Sequence, residues 1–196
     1  MRGLVMHVLE RRLRRAGYAT RRFGYASWRD GLADNVERLA RFIDATPGTV
    51  IHLVAHSLGG ALALTLLAQS ADPRIARLVL LGTPVTGCHC GAFCAKQPLL
   101  AWLGGRSFDD WFKAPRPNPP AGVEVGVIAG TRSISWGRLI PGLEHPNDGL
   151  IAVAETFVAG AADSVALSVS HTGMLVSRAC SRQLESFLKT GRFIHD

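Results

Sequence analysis

Ser57 sits in Leu53-Val54-Ala55-His56-Ser57-Leu58-Gly59-Gly60. There an uncharged run gives way to a segment of helical pattern. A serine placed where a buried strand turns sharply into a helix is held on strained backbone, and its Oγ is lifted above the sheet as a nucleophile. Such a turn needs small neighbours. Gly59 supplies one, and Ala55 stands where a first glycine is usual. The N–H of Leu58, at the start of the predicted helix, could donate to an oxyanion developing beside the serine. The same pentapeptide also arises by chance at strand-turn-helix junctions, so the partners further along the chain carry much of the argument.

Serine hydrolases of this arrangement run nucleophile, acid, histidine along the chain, each at the carboxyl end of a strand. His171, in Ser168-Val169-Ser170-His171-Thr172-Gly173-Met174, is predicted directly after the last strand and is the candidate base. Asp148, in His145-Pro146-Asn147-Asp148-Gly149, is the candidate orienting acid, with Asp163 as runner-up. An aspartate accepting from the histidine would fix its tautomer and stabilise the imidazolium. Helix capping is the plain alternative for Asp148, and an ordinary loop histidine the alternative for His171. The other histidines fit less well: His7, His52 and His56 precede or flank the serine, His145 precedes the candidate acid, and His195 lies in the tail.

These residues need a scaffold that presents strand ends on one edge. Residues 50–55, 75–81, 123–129 and 165–169 read as buried strands, and an extended segment is expected at 19–26. Helical patterns cover an arginine-rich N-terminal segment and residues 32–43, 61–69, 98–103, 150–157 and 174–188. Arg116-Pro117-Asn118-Pro119-Pro120 reads as a connector. Strands alternating with helices imply an α/β fold, a doubly wound, mostly parallel sheet with helices on both faces. At 196 residues, 47% of them hydrophobic, the chain is expected to form one domain over residues 1–196.

The formal net charge of +7 would permit nucleic-acid or anionic-membrane partners. Much of the excess, however, lies in Arg11, Arg12, Arg14, Arg15, Arg21 and Arg22, interleaved with an apolar stripe, which is the pattern of a solvated helix face. No nucleic-acid motif accompanies it, and Glu10 interrupts any transit-peptide pattern. The uncharged stretch 50–71 contains His52, His56, Ser57 and Gly59-Gly60, so strand, turn and helix are expected there rather than a membrane span. Cys88, Cys90 and Cys94 surround His89, but one short loop would have to supply every zinc ligand, so reduced thiols are expected instead. Reduced thiols and no secretory segment point to the cytoplasm.

Ala55-His56-Ser57-Leu58-Gly59-Gly60, Gly82-Thr83-Pro84, Asn147-Asp148-Gly149 and Ser170-His171-Thr172-Gly173-Met174 together resemble the signature segments of small bacterial lipase- or esterase-like α/β hydrolases. The resemblance implies a triad of Ser57, Asp148 and His171, hydrolysis of small-molecule carboxylic esters including lipids, and no metal or organic cofactor. The chain departs from the family at its start. Members begin with a further strand ending in His-Gly, whose loop gives a second oxyanion donor, whereas Met1-Arg2-Gly3-Leu4 reads as if it followed that motif. The expectation is an N-terminally shortened hydrolase. Its rival is a hydrolase-like domain with little or no turnover that binds an apolar ligand or a partner protein. Trp102, Phe108, Trp111 and Phe112 could wall an acyl site, though aromatic residues before a proline-rich connector more often serve packing.

Overall fold

A computed structural model describes residues 6–70, 72–96, 105–118, 121–134 and 140–195. Four strands form one sheet: β1 (Ile51–His56), β2 (Ile75–Leu81), β3 (Glu124–Gly130) and β4 (Asp163–Leu167). They lie side by side in chain order and every pairing is parallel, with Val54 opposite Val79, Leu80 opposite Val127, and Ile128 opposite Val165. Because all four run the same way, the segments that follow them emerge at one edge of the sheet, where a site can be assembled from residues far apart in sequence.

Side chains alternate across each strand, and the two resulting faces are covered by different helices. Leu53, Ala55, Leu78, Leu80, Val125 and Val127 pack beneath α2 (Leu32–Asp44) and α3 (Leu58–Gln69), with Trp111 of α5 (Arg106–Lys113) in the same core. Val54, Val79, Leu81, Ile128 and Val165 pack beneath α1 (His7–Arg15) and α6 (Arg178–Thr190) through Leu9, Leu184 and Phe187. The chain thus has the expected parallel sheet with helices on both faces. The near-continuous apolar runs of β2 and β3 follow from burial on both sides. Helix α3 is apolar around most of its circumference, with Leu62, Leu64, Leu66 and Leu67 all buried, because it is covered by α2 while packing on the sheet.

The arginine-rich helix forms as α1. Arg12 ties it to the opposite end of the chain by donating to the Ser177 carbonyl at 2.7 Å and to Ser181 Oγ at 2.9 Å. Glu10 is buried on the same helix and pairs with Arg14 and Arg22 at 2.8 and 2.9 Å. Part of the positive charge is therefore structural.

Local pattern misplaced several elements. The helix expected at 150–157 is only a 3-10 turn, Val153–Thr156. Asn147 and Ala152 form an antiparallel bridge, and Val153 N donates to the Pro146 carbonyl at 2.9 Å, so this segment doubles back before a helix can start. β4 begins and ends two residues before the expected 165–169, so His171 stands on a loop four residues beyond the strand. The helix expected at 174–188 divides into a 3-10 turn, Gly173–Leu175, and α6. Residues 19–26 belong to no strand. A short helix, α4 (His89–Ala95), forms where the sequence suggested only a cysteine loop, and α5 was equally unforeseen. The expectations for Met1 to Leu4, residues 98–103, Trp102 and Pro119-Pro120 lie outside the described residues.

Candidate active site

Ser57 joins β1 to α3 with φ 54° and ψ −130°, and it is the one non-glycine residue at positive φ among the described residues. A side chain at such a φ costs on the order of 1–3 kcal/mol and persists only where its surroundings hold it. Here they do so from two sides: Ser57 N donates to the Leu81 carbonyl at 2.9 Å, and Gly60 N donates to the Ser57 carbonyl at 2.9 Å. Leu58 opens α3, so its N–H has no acceptor within the helix.

The glycines here are not equivalent. A Cβ at Gly60 would collide with the Thr83 hydroxyl and meet Leu80 Cδ2 at 2.8 Å, whereas one at Gly59 would find only the Tyr25 hydroxyl, at 3.8 Å. The close helix–strand approach therefore depends on the second glycine of the pair.

The loop after β3 brings Asp148 to the same edge, and the loop after β4 brings His171. Asp148 is 1% exposed and His171 6%. Asp148 Oδ2 lies 2.7 Å from His171 Nδ1, while Asp148 Oδ1 accepts from Leu150 N at 2.9 Å and Ile151 N at 2.8 Å. One carboxylate oxygen thus makes the cap-like bonds that a plain structural role would need, and the other is aimed at the imidazole. With Nδ1 engaged by Asp148, the free ring nitrogen of His171 is Nε2. Among the described residues no hydrogen bond joins the His171 ring to Ser57 Oγ.

Two glycines at strand ends make room for the pair. Gly82 has φ 54°, and a Cβ there would stand 3.0 Å from Asp148 Oδ2 and 3.1 Å from His171 Nδ1. At Gly130 it would stand 2.6 Å from Asp148 Cβ and 2.5 Å from the Val169 carbonyl. The Gly82-Thr83-Pro84 segment singled out in the sequence therefore lies against the Asp148–His171 pair. Nothing in the sequence had marked Gly130.

His56, set aside as a flanking residue, also contacts the site. Its Nε2 is 3.0 Å from the His171 carbonyl oxygen, and the two rings are 4.6 Å apart. Burial, reinforced by the neighbouring His171, pushes the His56 imidazole down to about 3. An imidazole one residue from the serine and on the other face of the strand was the available signal.

Other candidates lie elsewhere. Asp163 opens β4 at the far end of the sheet and binds Ser164 N, Phe193 N and His195, so the runner-up acid is remote from Ser57. Cys88 caps α4 through its Sγ, Cys90 and Cys94 are buried beside it, and burial pushes the Cys88 and Cys90 thiols up to about 12. Among the described residues no group of three His, Cys, Asp or Glu side chains is placed to hold a metal. Trp111 is fully buried and its indole N–H donates to the Pro84 carbonyl at 2.9 Å. The Phe108 and Phe112 rings pack against each other at a tilt, with centroids 4.5 Å apart. These aromatics pack the core under the Gly-Thr-Pro turn. The uncharged stretch 50–71 is divided between β1 and α3, and no described helix is long and apolar enough to cross a membrane.

Residues 16–112 match the family described as alpha/beta hydrolase fold. The fold is also that of a metagenomic carboxyl esterase, at TM-score 0.63 and 21% identity over 82% of this chain and 57% of the esterase. The chain is an α/β-hydrolase-fold protein. The mature Bacillus licheniformis lipase is similar at TM-score 0.59 and 15% identity, over 81% of this chain and 70% of the lipase. A lipase-esterase related protein of Clostridium acetobutylicum gives TM-score 0.55 and 15% identity, over 97% of this chain and 88% of its own. The chain therefore spans less than two thirds of the carboxyl esterase's length. No curated protein matches it by sequence. In this α/β-hydrolase-fold chain, Ser57, Asp148 and His171 follow three different strands of a single sheet, β1, β3 and β4.

Proposed function

We propose that the protein is a serine hydrolase of carboxylic esters, with Ser57 as nucleophile, His171 as general base and acid, and Asp148 as the residue that orients the imidazole. The observation that carries this reading is the buried 2.7 Å contact between Asp148 and His171 Nδ1, at the same sheet edge as a serine held at positive φ. A carboxylate on Nδ1 keeps the proton there and leaves Nε2 as the base. Bonds between base and nucleophile are often long before substrate is bound and tighten in the reacting complex.

In the proposed cycle, His171 Nε2 takes the Ser57 hydroxyl proton as Oγ bonds to the ester carbonyl carbon. The carbonyl oxygen becomes an oxyanion and accepts from Leu58 N–H. Collapse breaks the bond to the alcohol oxygen, which receives the proton from His171 and leaves an acyl-Ser57 ester. Water then gives a proton to His171 and attacks the acyl carbon. The acid departs, and Ser57 Oγ recovers the proton. The chemistry uses side chains and a backbone amide alone.

The test is a fluorophosphonate label on the purified protein, with p-nitrophenyl esters of graded acyl length as substrates and Ser57→Ala as control. Labelling of Ser57, together with hydrolysis that Ser57→Ala abolishes, is the expected result. An unlabelled Ser57, or equal hydrolysis by both proteins, rejects the reading in favour of a hydrolase-like domain that binds an apolar ligand without turnover.

A further inference from the structure

His56 ends β1 on the face shared with Val54, opposite Leu53 and Ala55, and so points toward the α6 side of the sheet, where the His171 loop lies. A carbonyl oxygen can only accept, so the 3.0 Å contact with the His171 carbonyl requires His56 Nε2 to carry a proton and to donate it. The bond runs between the residue next to the nucleophile and the backbone of the candidate base. It spans 115 positions of sequence and links the elbow to the loop that must hold His171 in register with it. Asp148 grips the same loop from the opposite side, through His171 N to the Asp148 carbonyl at 2.9 Å and through the ring. Asp148 fixes His171 relative to the segment that follows β3. His56 fixes it relative to β1, the strand that bears Ser57.

The geometry points to His56 as a positioning residue: its Nε2–H clamps the His171 carbonyl and thereby sets the imidazole of His171 against Ser57. This rests on the proposed hydrolase reading for its kinetic consequence, while the clamp itself does not depend on turnover. A displaced base affects the chemical step, and misplacement by about 1 Å costs on the order of 10²-fold in rate. The penalty should therefore fall on kcat and leave KM nearly alone. A protonated His56 would also hold Nε2–H, but its depressed pKa keeps the ring neutral, so no second positive charge opposes the imidazolium that forms on His171.

The experiment compares His56→Phe, which keeps a ring and removes the donor, with His56→Gln, whose amide nitrogen can reach the position of Nε2. In p-nitrophenyl ester hydrolysis, His56→Phe should lower kcat by about 10²-fold with KM within about twofold, and His56→Gln should recover at least about tenfold of that loss. Equal kcat for the two variants, wild-type kcat in His56→Phe, or a loss confined to KM overturns the proposal. Histidine ¹⁵N NMR of the wild-type protein provides an arm that needs neither a folded variant nor activity. It should show His56 as the neutral Nε2–H tautomer from about pH 5 to 8, the range in which an ordinary imidazole titrates. A neutral His56 that carries its proton on Nδ1 instead overturns the clamp. Absence of ester hydrolysis by the wild type would reject the hydrolase reading instead, and the NMR result would still decide the clamp.

Discussion

Asp148 holds His171 twice, once through its side chain and once through its backbone. Oδ2 meets the ring Nδ1 at 2.7 Å, and the Asp148 carbonyl accepts from His171 N at 2.9 Å. Replacing the carboxylate by an amide leaves the backbone bond and the shape of the side chain intact but turns a pure acceptor into a group that can donate to Nδ1, favouring the wrong tautomer. In serine proteases this change costs about 10⁴-fold in kcat. Asp148→Asn should show a loss of that order in p-nitrophenyl ester turnover with an unchanged circular dichroism spectrum. A loss below about tenfold would separate Asp148 from the proposed chemistry.

Gly82 gives a sharper test, because it perturbs the same pair without touching either member. Alanine there must adopt φ 54° and place a Cβ about 3 Å from both Asp148 Oδ2 and His171 Nδ1. Gly82→Ala should lower kcat on the order of 10²-fold. The control is Gly160→Ala, which also forces positive φ, at 77°, but meets nothing within 4 Å. Both variants should lose about 1–2 kcal/mol of stability through backbone strain, and only Gly82→Ala should lose activity. If the two behave alike in turnover, the cradle around the Asp148–His171 pair is not needed.

The division between what local sequence revealed and what it hid follows contact range. The strand of 75–81 and the alternating architecture were legible because burial on two faces leaves long apolar runs, as in Ile75–Leu81. Ser57, Asp148 and His171 stood out by residue type and chain order, and the structure brings Asp148 against His171. What stayed hidden depends on partners far along the chain. The segment after Asp148 has a helical pattern, yet Asp148 Oδ1 captures Leu150 N and Ile151 N and the chain doubles back. The β4 register depends on its pairing with β3, which places Gly126 opposite Asp163. His56 looked incidental because its partner lies 115 residues away, and Gly130 carried no mark of the aspartate that would sit above it.

The adjacent glycines of the elbow should respond with opposite signs. At Gly60 an added methyl collides with Thr83 and meets Thr83 Cγ2 at 2.7 Å, in a core where Leu80 is wholly buried. Overpacking of this kind costs about 1–3 kcal/mol. At Gly59 the nearest atom is 3.8 Å away and the residue lies in helix α3, where alanine is favoured over glycine by about 0.5–1 kcal/mol. Urea unfolding should therefore find Gly60→Ala destabilised and Gly59→Ala unchanged or stabilised. The reverse order would mean that the helix–strand approach is set elsewhere.

The burial of His56 makes stability depend on pH with a definite sign. Its folded-state pKa lies at about 3, below the value near 6.5 of an unfolded histidine. Above about pH 6.5 the ring is neutral in both states and this stability is fully present. As pH falls toward 3 the unfolded chain binds a proton that the folded chain refuses, so stability drops, by at most about 1.4 kcal/mol per pH unit. Asp72 and Asp163, whose carboxyls are held below the usual range by hydrogen bonds from Arg74 and from His195 and backbone amides, add their own loss only near and below about pH 4. Half-buried His52, also lowered by burial, contributes in the same direction as His56. The window between pH 6.5 and 4.5 therefore isolates the histidines. Urea unfolding there should show His56→Gln losing less stability than the wild type as the solution is acidified, since the amide has no proton to gain. Parallel losses in the two proteins would mean that His56 titrates normally in the folded state and that its surroundings do not hold the ring neutral.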